Sequence, residues 1–138
     1  MKRMKLTMIL ASLSLVCSLN LNASEAEKIN AMVMLNMENG LANIQKGFLY
    51  NNMKLVQEGL DQVEKENSTY DNRNAIKAFL PEGKKQMENL AFISSKRIEN
   101  AAKEMKYYLS VQQPRKAFNS FSDIVNACTD CHTLVRGW

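Results

Sequence analysis

Along four stretches of this chain apolar side chains return every three or four residues, and nowhere do they alternate one in two, so the chain is expected to build from helices. Ser24 with Glu27 has the form of a capping box, and behind it Met34, Met37, Leu41, Ile44 and Phe48 mark a first helix running to about Tyr50. Val56, Leu60 and Val63 mark a shorter second helix that frays into the polar stretch "EKENSTYDNRN", after which "AIKAFL" bridges to Pro81. A long third helix carries Met87, Leu90, Ser94, Ile98, Ala101, Met105 and Tyr108. Pro114 suits the first turn of a fourth, whose stripe is Phe118, Phe121, Val125, Cys128, His132 and Val135. Only five Gly and two Pro interrupt the pattern. The expected fold is all-α, an antiparallel up-down-up-down four-helix bundle, in which residues 30–37 at the start of the first helix face the end of the fourth.

The N-terminus sets the compartment. "MKRMK" supplies three positive charges, "LTMILASLSLVCSL" a short apolar run, and "NLNAS" a small residue, Ala23, before a polar start at Ser24. That is the form of a secretory signal peptide over residues 1–23, with the domain occupying residues 24–138. The apolar run is about 14 residues, short of the ~20 that span a bilayer, so no membrane span is expected after cleavage. Val16 stands before Cys17 where a lipid-anchored cysteine would follow a small residue, so Cys17 leaves with the leader. The leader holds Lys2, Arg3 and Lys5 of the chain's 18 basic residues and none of its 14 acids, so the remainder is near +1. The basicity therefore belongs to export. No cluster of Lys and Arg interleaved with aromatics remains to suggest a nucleic-acid partner.

Cys128, Cys131 and His132 crowd two thiols and the only histidine into five residues of "NACTDCHTLVRGW". On a helix, Cys128 and His132 lie about 40° apart and Cys131 about 60° to the other side of Cys128, so all three share one patch. C-x-x-C-H in an exported chain is the attachment pattern of c-type haem: two thiols add across the vinyl groups and the adjacent imidazole reaches the iron. Three other readings compete. The residues could be stripe positions with a helix disulfide, which an oxidising compartment permits. A structural zinc site would need four ligands, and two Cys with one His fall short. A thioredoxin-like dithiol would follow a strand, and no strand pattern is present.

An exported four-helix chain of this length with C-x-x-C-H near its C-terminus resembles the class II cytochromes c, the cytochrome c-prime family, over the whole segment after the leader. The resemblance implies thioether bonds at Cys128 and Cys131 and His132 as the proximal iron ligand. It also implies a basic residue four positions further on, here Arg136, whose charge near the haem edge would raise the reduction potential. Arg136 equally suits the last turn of any helix through the helix dipole. Val135 and Trp138 could cover the haem edge.

In that family the sixth iron position is either open or filled by a methionine of the first helix. Met34 and Met37 lie on the first stripe, and Met34 is nearer the helix start, so it is the first choice; Met32 points about 160° away from Met34, and Met53 lies further along. Spacing counted back from "QKGF" in the pattern of that family lands nearer Ala31, which the resemblance implies would leave the position open. Methionine also serves as ordinary core filler. The expectation is a periplasmic monohaem electron carrier exchanging electrons with redox partner proteins. The alternative is a five-coordinate haem protein that binds nitric oxide or carbon monoxide. With one histidine and no catalytic pair evident on the first helix, no enzymatic activity is expected. The resemblance also allows a homodimer formed through the first two helices.

Overall fold

Ser24 opens the first helix by a reciprocal cap: the Glu27 N–H donates to Ser24 Oγ at 3.2 Å and the Ser24 N–H donates to Glu27 Oε2 at 2.6 Å. In the computed structural model, which describes residues 24–136, this helix is α1 (Glu25–Leu49). It is followed by α2 (Met53–Asn67), α3 (Arg73–Phe79), α4 (Glu88–Ser110) and α5 (Pro114–Arg136), with single 3-10 stretches at Ser68–Asp71 and Glu82–Met87. The molecule is all-helical among the described residues. The leader expected over residues 1–23 and the terminal Trp138 lie outside them.

Among the described residues five α-helices stand where four are expected. The additional one, α3, forms from "RNAIKAF", because Asn72 caps it by accepting from the Asn74 N–H at 2.8 Å and Ile76 gains a buried seat.

α1 packs chiefly on α2 and α4 chiefly on α5, with lighter contacts between α2 and α4 and between α1 and α5. Each pair is joined by three residues, and the two joints share one geometry. After α1, the Asn52 N–H donates to Gly47 O at 2.7 Å and the Asn51 N–H to Phe48 O at 3.3 Å. After α4, the Gln113 N–H donates to Tyr108 O at 2.8 Å and the Gln112 N–H to Leu109 O at 3.2 Å. These are Schellman closures, with Asn51 (φ 52°) and Gln112 (φ 54°) in the left-handed position.

The buried faces differ from the expected stripes by about one residue. On α1 the buried positions are Val33, Met37, Gly40, Ile44 and Gly47, while Met34, Leu41 and Phe48 pack half-buried against them. On α5 they are Ala117, Ser120, Phe121, Ile124 and Ala127; Phe118 and Val125 are exposed. On α4, Ser94, Ile98, Ala101 and Met105 are buried as the stripe requires, but Leu90 is exposed. Small residues cause the shift. A Cβ built on Gly59 would lie 2.5 Å from Gly40 O and 2.8 Å from Ile44 N, and one on Gly47 would lie 2.7 Å from Val56 N. The α1 and α2 backbones therefore touch, and the helices turn their glycine edges inward to do so.

Two apolar clusters result. The larger joins α1, α2, α4 and α5 around Ile44, Val56, Leu60, Met105 and Ile124, all fully buried. The smaller holds Ile76, Leu80 and Ala91, with Tyr70, Phe92, Cys131 and Val135 packed against it. Between the clusters the chain leaves a cavity.

Candidate functional site

α5 carries the thiols and the imidazole because its opposite neighbours anchor it. Ile124 and Ala127 are fully buried one turn and one residue before Cys128, so the helix cannot rotate without exposing them. Cys128, Cys131 and His132 are each partly buried and line a cavity of about 560 Å³, within the ~300–1,000 Å³ of small-molecule pockets. Its walls are mostly apolar, with Leu41 from α1, Ile76 and Phe79 from α3, Ile98 from α4 and Val135 from α5.

Against His132 stands Met34, which also lines the cavity. Its Sδ lies 3.4 Å from His132 Nε2, so two side chains of types able to ligate metals, 98 positions apart in sequence, meet. The other methionines stand differently. Met37 lines the cavity but is sunk in the larger core, and Met32 is 66% exposed on the far side of α1. Arg136 is exposed at the cavity rim, one turn beyond His132. Arg97 on α4 holds Asp130 at 2.5 Å beside Cys131, tying the thiol-bearing turn to its neighbour helix.

Burial shapes the protonation of these groups. The Cys128 thiol is pushed up to about 11, first by burial and then by the neighbouring Cys131, and burial raises Cys131 as well. Both are thiols at neutral pH, which is unlike the depressed values of a reactive dithiol. His132 is lowered, first by burial and then by the Arg136 charge, which favours the neutral imidazole that binds metals.

A polar wall completes the cavity, and the sequence reading does not anticipate it. Tyr70 Oη donates to Asn30 Oδ1 at 2.5 Å, and burial, with smaller contributions from Cys131, Cys128 and Glu66, holds the phenol well above its usual range. Asn67 is buried and donates from Nδ2 to Ser95 O at 3.1 Å, leaving its Oδ1 and the Ser95 hydroxyl without partners. Tyr70 lies in the polar stretch read as the frayed end of the second helix. The only hint was an aromatic residue in otherwise polar sequence.

Chemically, Cys128 and Cys131 could hold a flat cofactor covalently, and His132 and Met34, in contact with each other, bring one nitrogen and one sulfur donor to the same point. Among the described residues no group of three or more His, Cys, Asp or Glu side chains forms a metal-binding set. No family model matches the chain, and no curated protein or solved structure matches it.

Proposed function

We propose that this chain is an exported, periplasmic monohaem cytochrome of the class II kind, an electron carrier without catalytic activity of its own. Cys128 and Cys131 would hold the haem through thioether bonds, and His132 and Met34 would be the side chains offered to its iron. The helix pairs are read as an antiparallel up-down-up-down bundle of α1, α2, α4 and α5, with α3 inserted in the long connection between α2 and α4. The three-residue joints and the meeting of early α1 with late α5 support that topology.

The observation that carries the proposal is the 3.4 Å approach of Met34 Sδ to His132 Nε2 in a cavity that also receives both thiols. The donor set fits the group: two attachment thiols, an imidazole kept neutral, a soft thioether and apolar walls. A bound haem would supply one-electron exchange between ferric and ferrous iron. The chain's own part is to keep His132 neutral, offer the thioether, exclude water with Leu41, Ile76 and Ile98, and place the Arg136 charge at the rim. Redox partners would meet the exposed cavity rim. No described helix is long and apolar enough to cross a membrane.

The test is expression of the full chain with a haem-ligation system. Haem should remain with the polypeptide through denaturation and acid–acetone extraction, and Cys128→Ala with Cys131→Ala should abolish that retention. Wild-type ferric protein should show the weak far-red band of methionine-ligated haem, and Met34→Ala should remove it and turn the iron high-spin. Haem that extracts cleanly from wild type overturns the cytochrome. A high-spin wild type unchanged by Met34→Ala, Met37→Ala and Met32→Ala moves the function to gas binding.

A further inference from the structure

The cavity does not end at Met34. Asn30 stands one helical turn before it, on the same face of α1, and both line the cavity. The Asn30 carbonyl oxygen is taken by Tyr70, whose hydroxyl donates to it at 2.5 Å. In this arrangement the oxygen faces Tyr70, and the NH2 group, with two donor hydrogens, donates to no protein acceptor among the described residues. The tyrosine is in turn held by packing, since its ring contacts both apolar clusters and meets Phe79 edge-on at 5.8 Å. Two buried polar atoms on the same cavity, Asn67 Oδ1 and Ser95 Oγ, are also without protein partners. These two atoms give the cavity wall a polar side, since an unpaired buried polar atom is destabilising until something fills its hydrogen bond.

We propose that Asn30, oriented by the Tyr70 hydroxyl, is a hydrogen-bond donor to a small diatomic ligand, of the carbon monoxide or nitric oxide class, bound beside Met34 in the cavity. Asn30 touches the ligand, and Tyr70 is a positioning residue that acts through it. The inference rests on the haem reading above and deepens its gas-binding side. When the thioether withdraws, the space it leaves adjoins a pre-oriented amide rather than bare hydrocarbon. A hydrogen bond of ordinary strength here slows ligand escape about five-fold.

The experiment uses the haem-loaded full chain in a Met34→Ala background, so that the position opposite His132 is open whether or not Met34 binds iron. Carbon monoxide serves as the vibrational probe and nitric oxide as the kinetic one, in four proteins: the background alone and with Asn30→Leu, Asn30→Asp or Tyr70→Phe added. Asn30→Leu keeps the volume and loses the amide. Asn30→Asp keeps an acceptor for Tyr70 and loses the donor. Tyr70→Phe keeps the ring and frees the amide to turn.

Asn30→Leu and Asn30→Asp should both raise the carbon monoxide stretching frequency and release nitric oxide about five-fold faster. Tyr70→Phe should broaden the band or split it toward the higher frequency. An unshifted band in both Asn30 variants overturns the proposal while leaving covalent haem in place. So does an Asn30→Asp band that matches the background while Asn30→Leu shifts, because that pattern means Asn30 serves only to hold Tyr70. Absence of haem in the background protein is a different failure, that of the attachment itself, and it overturns both readings.

Discussion

Where α1 meets α2 at its glycines the molecule is packed to the limit of contact, and around Met34 and His132 it is held open. Around Gly40, Gly47 and Gly59 the backbones of α1 and α2 meet with no room for a methyl group, and Ile44, Val56, Met105 and Ile124 are wholly buried beside them. Around Met34 and His132 the same helices border about 560 Å³ of space, with unpaired polar atoms in its wall. Interiors of ordinary domains are close-packed throughout. The contrast indicates that the open end is not poor packing, since the same chain packs tightly elsewhere. The tight end fixes the helices, and that in turn holds the open end open.

The strongest way to break this comparison is to force the tight end apart. Gly59→Val should destabilise the haem-free protein by about 3 kcal/mol or more, because the atoms it meets are backbone and cannot step aside. A denaturant midpoint lowered at unchanged m would show it, and a midpoint within error of wild type would mean the contact relaxes freely.

Two methionines sharpen the same contrast at smaller cost. Met105→Ala, in the closed core, should cost ~2–5 kcal/mol. Met34→Ala, half-buried at the cavity, should cost no more than about 1 kcal/mol in haem-free protein. Equal losses would erase the distinction between the ends.

The smallest effect concerns the thiols. Cys128 is raised from 9.0 to about 11, and a group that binds its proton more tightly when folded stabilises the fold below its ordinary value and loses that contribution as pH rises toward 11. Haem-free protein should therefore lose stability between about pH 9 and 11, and the Cys128→Ala variant should lose less. At pH 8 its thiols should react with iodoacetamide more slowly than a free peptide cysteine. Rapid alkylation of the folded protein would count against the burial of the site.

Much of the helix layout is legible in the sequence, because periods of three and four survive any choice of neighbour. The one-residue error in the faces is not accidental. An apolar count scores Phe118 and Val125 as core and passes over Ala117, Gly40 and Gly47, yet the closest contacts require residues with little or no side chain. The site divides in the same way. Cys128, Cys131 and His132 are adjacent in sequence, and Met34 follows from helical phase once two helix ends are set side by side. Tyr70, Asn30, Asn67 and Ser95 are joined only through the path of the connection between α2 and α4. A short helix, α3, formed there in place of the expected bridge, and no local pattern carried its course.

The two matching joints bear on the order in which the chain comes together. Each links neighbouring helices through three residues, and contacts so local form early, before any that require a long loop to close. The pairs α1 with α2 and α4 with α5 are therefore expected to be complete while the molecule is still two separate halves. Met34 belongs to one half and His132 to the other, 98 positions apart. On the proposed reading this pair is among the last contacts expected to form, and until then the thiols of α5 stand in a half-built protein, open to the haem they would carry.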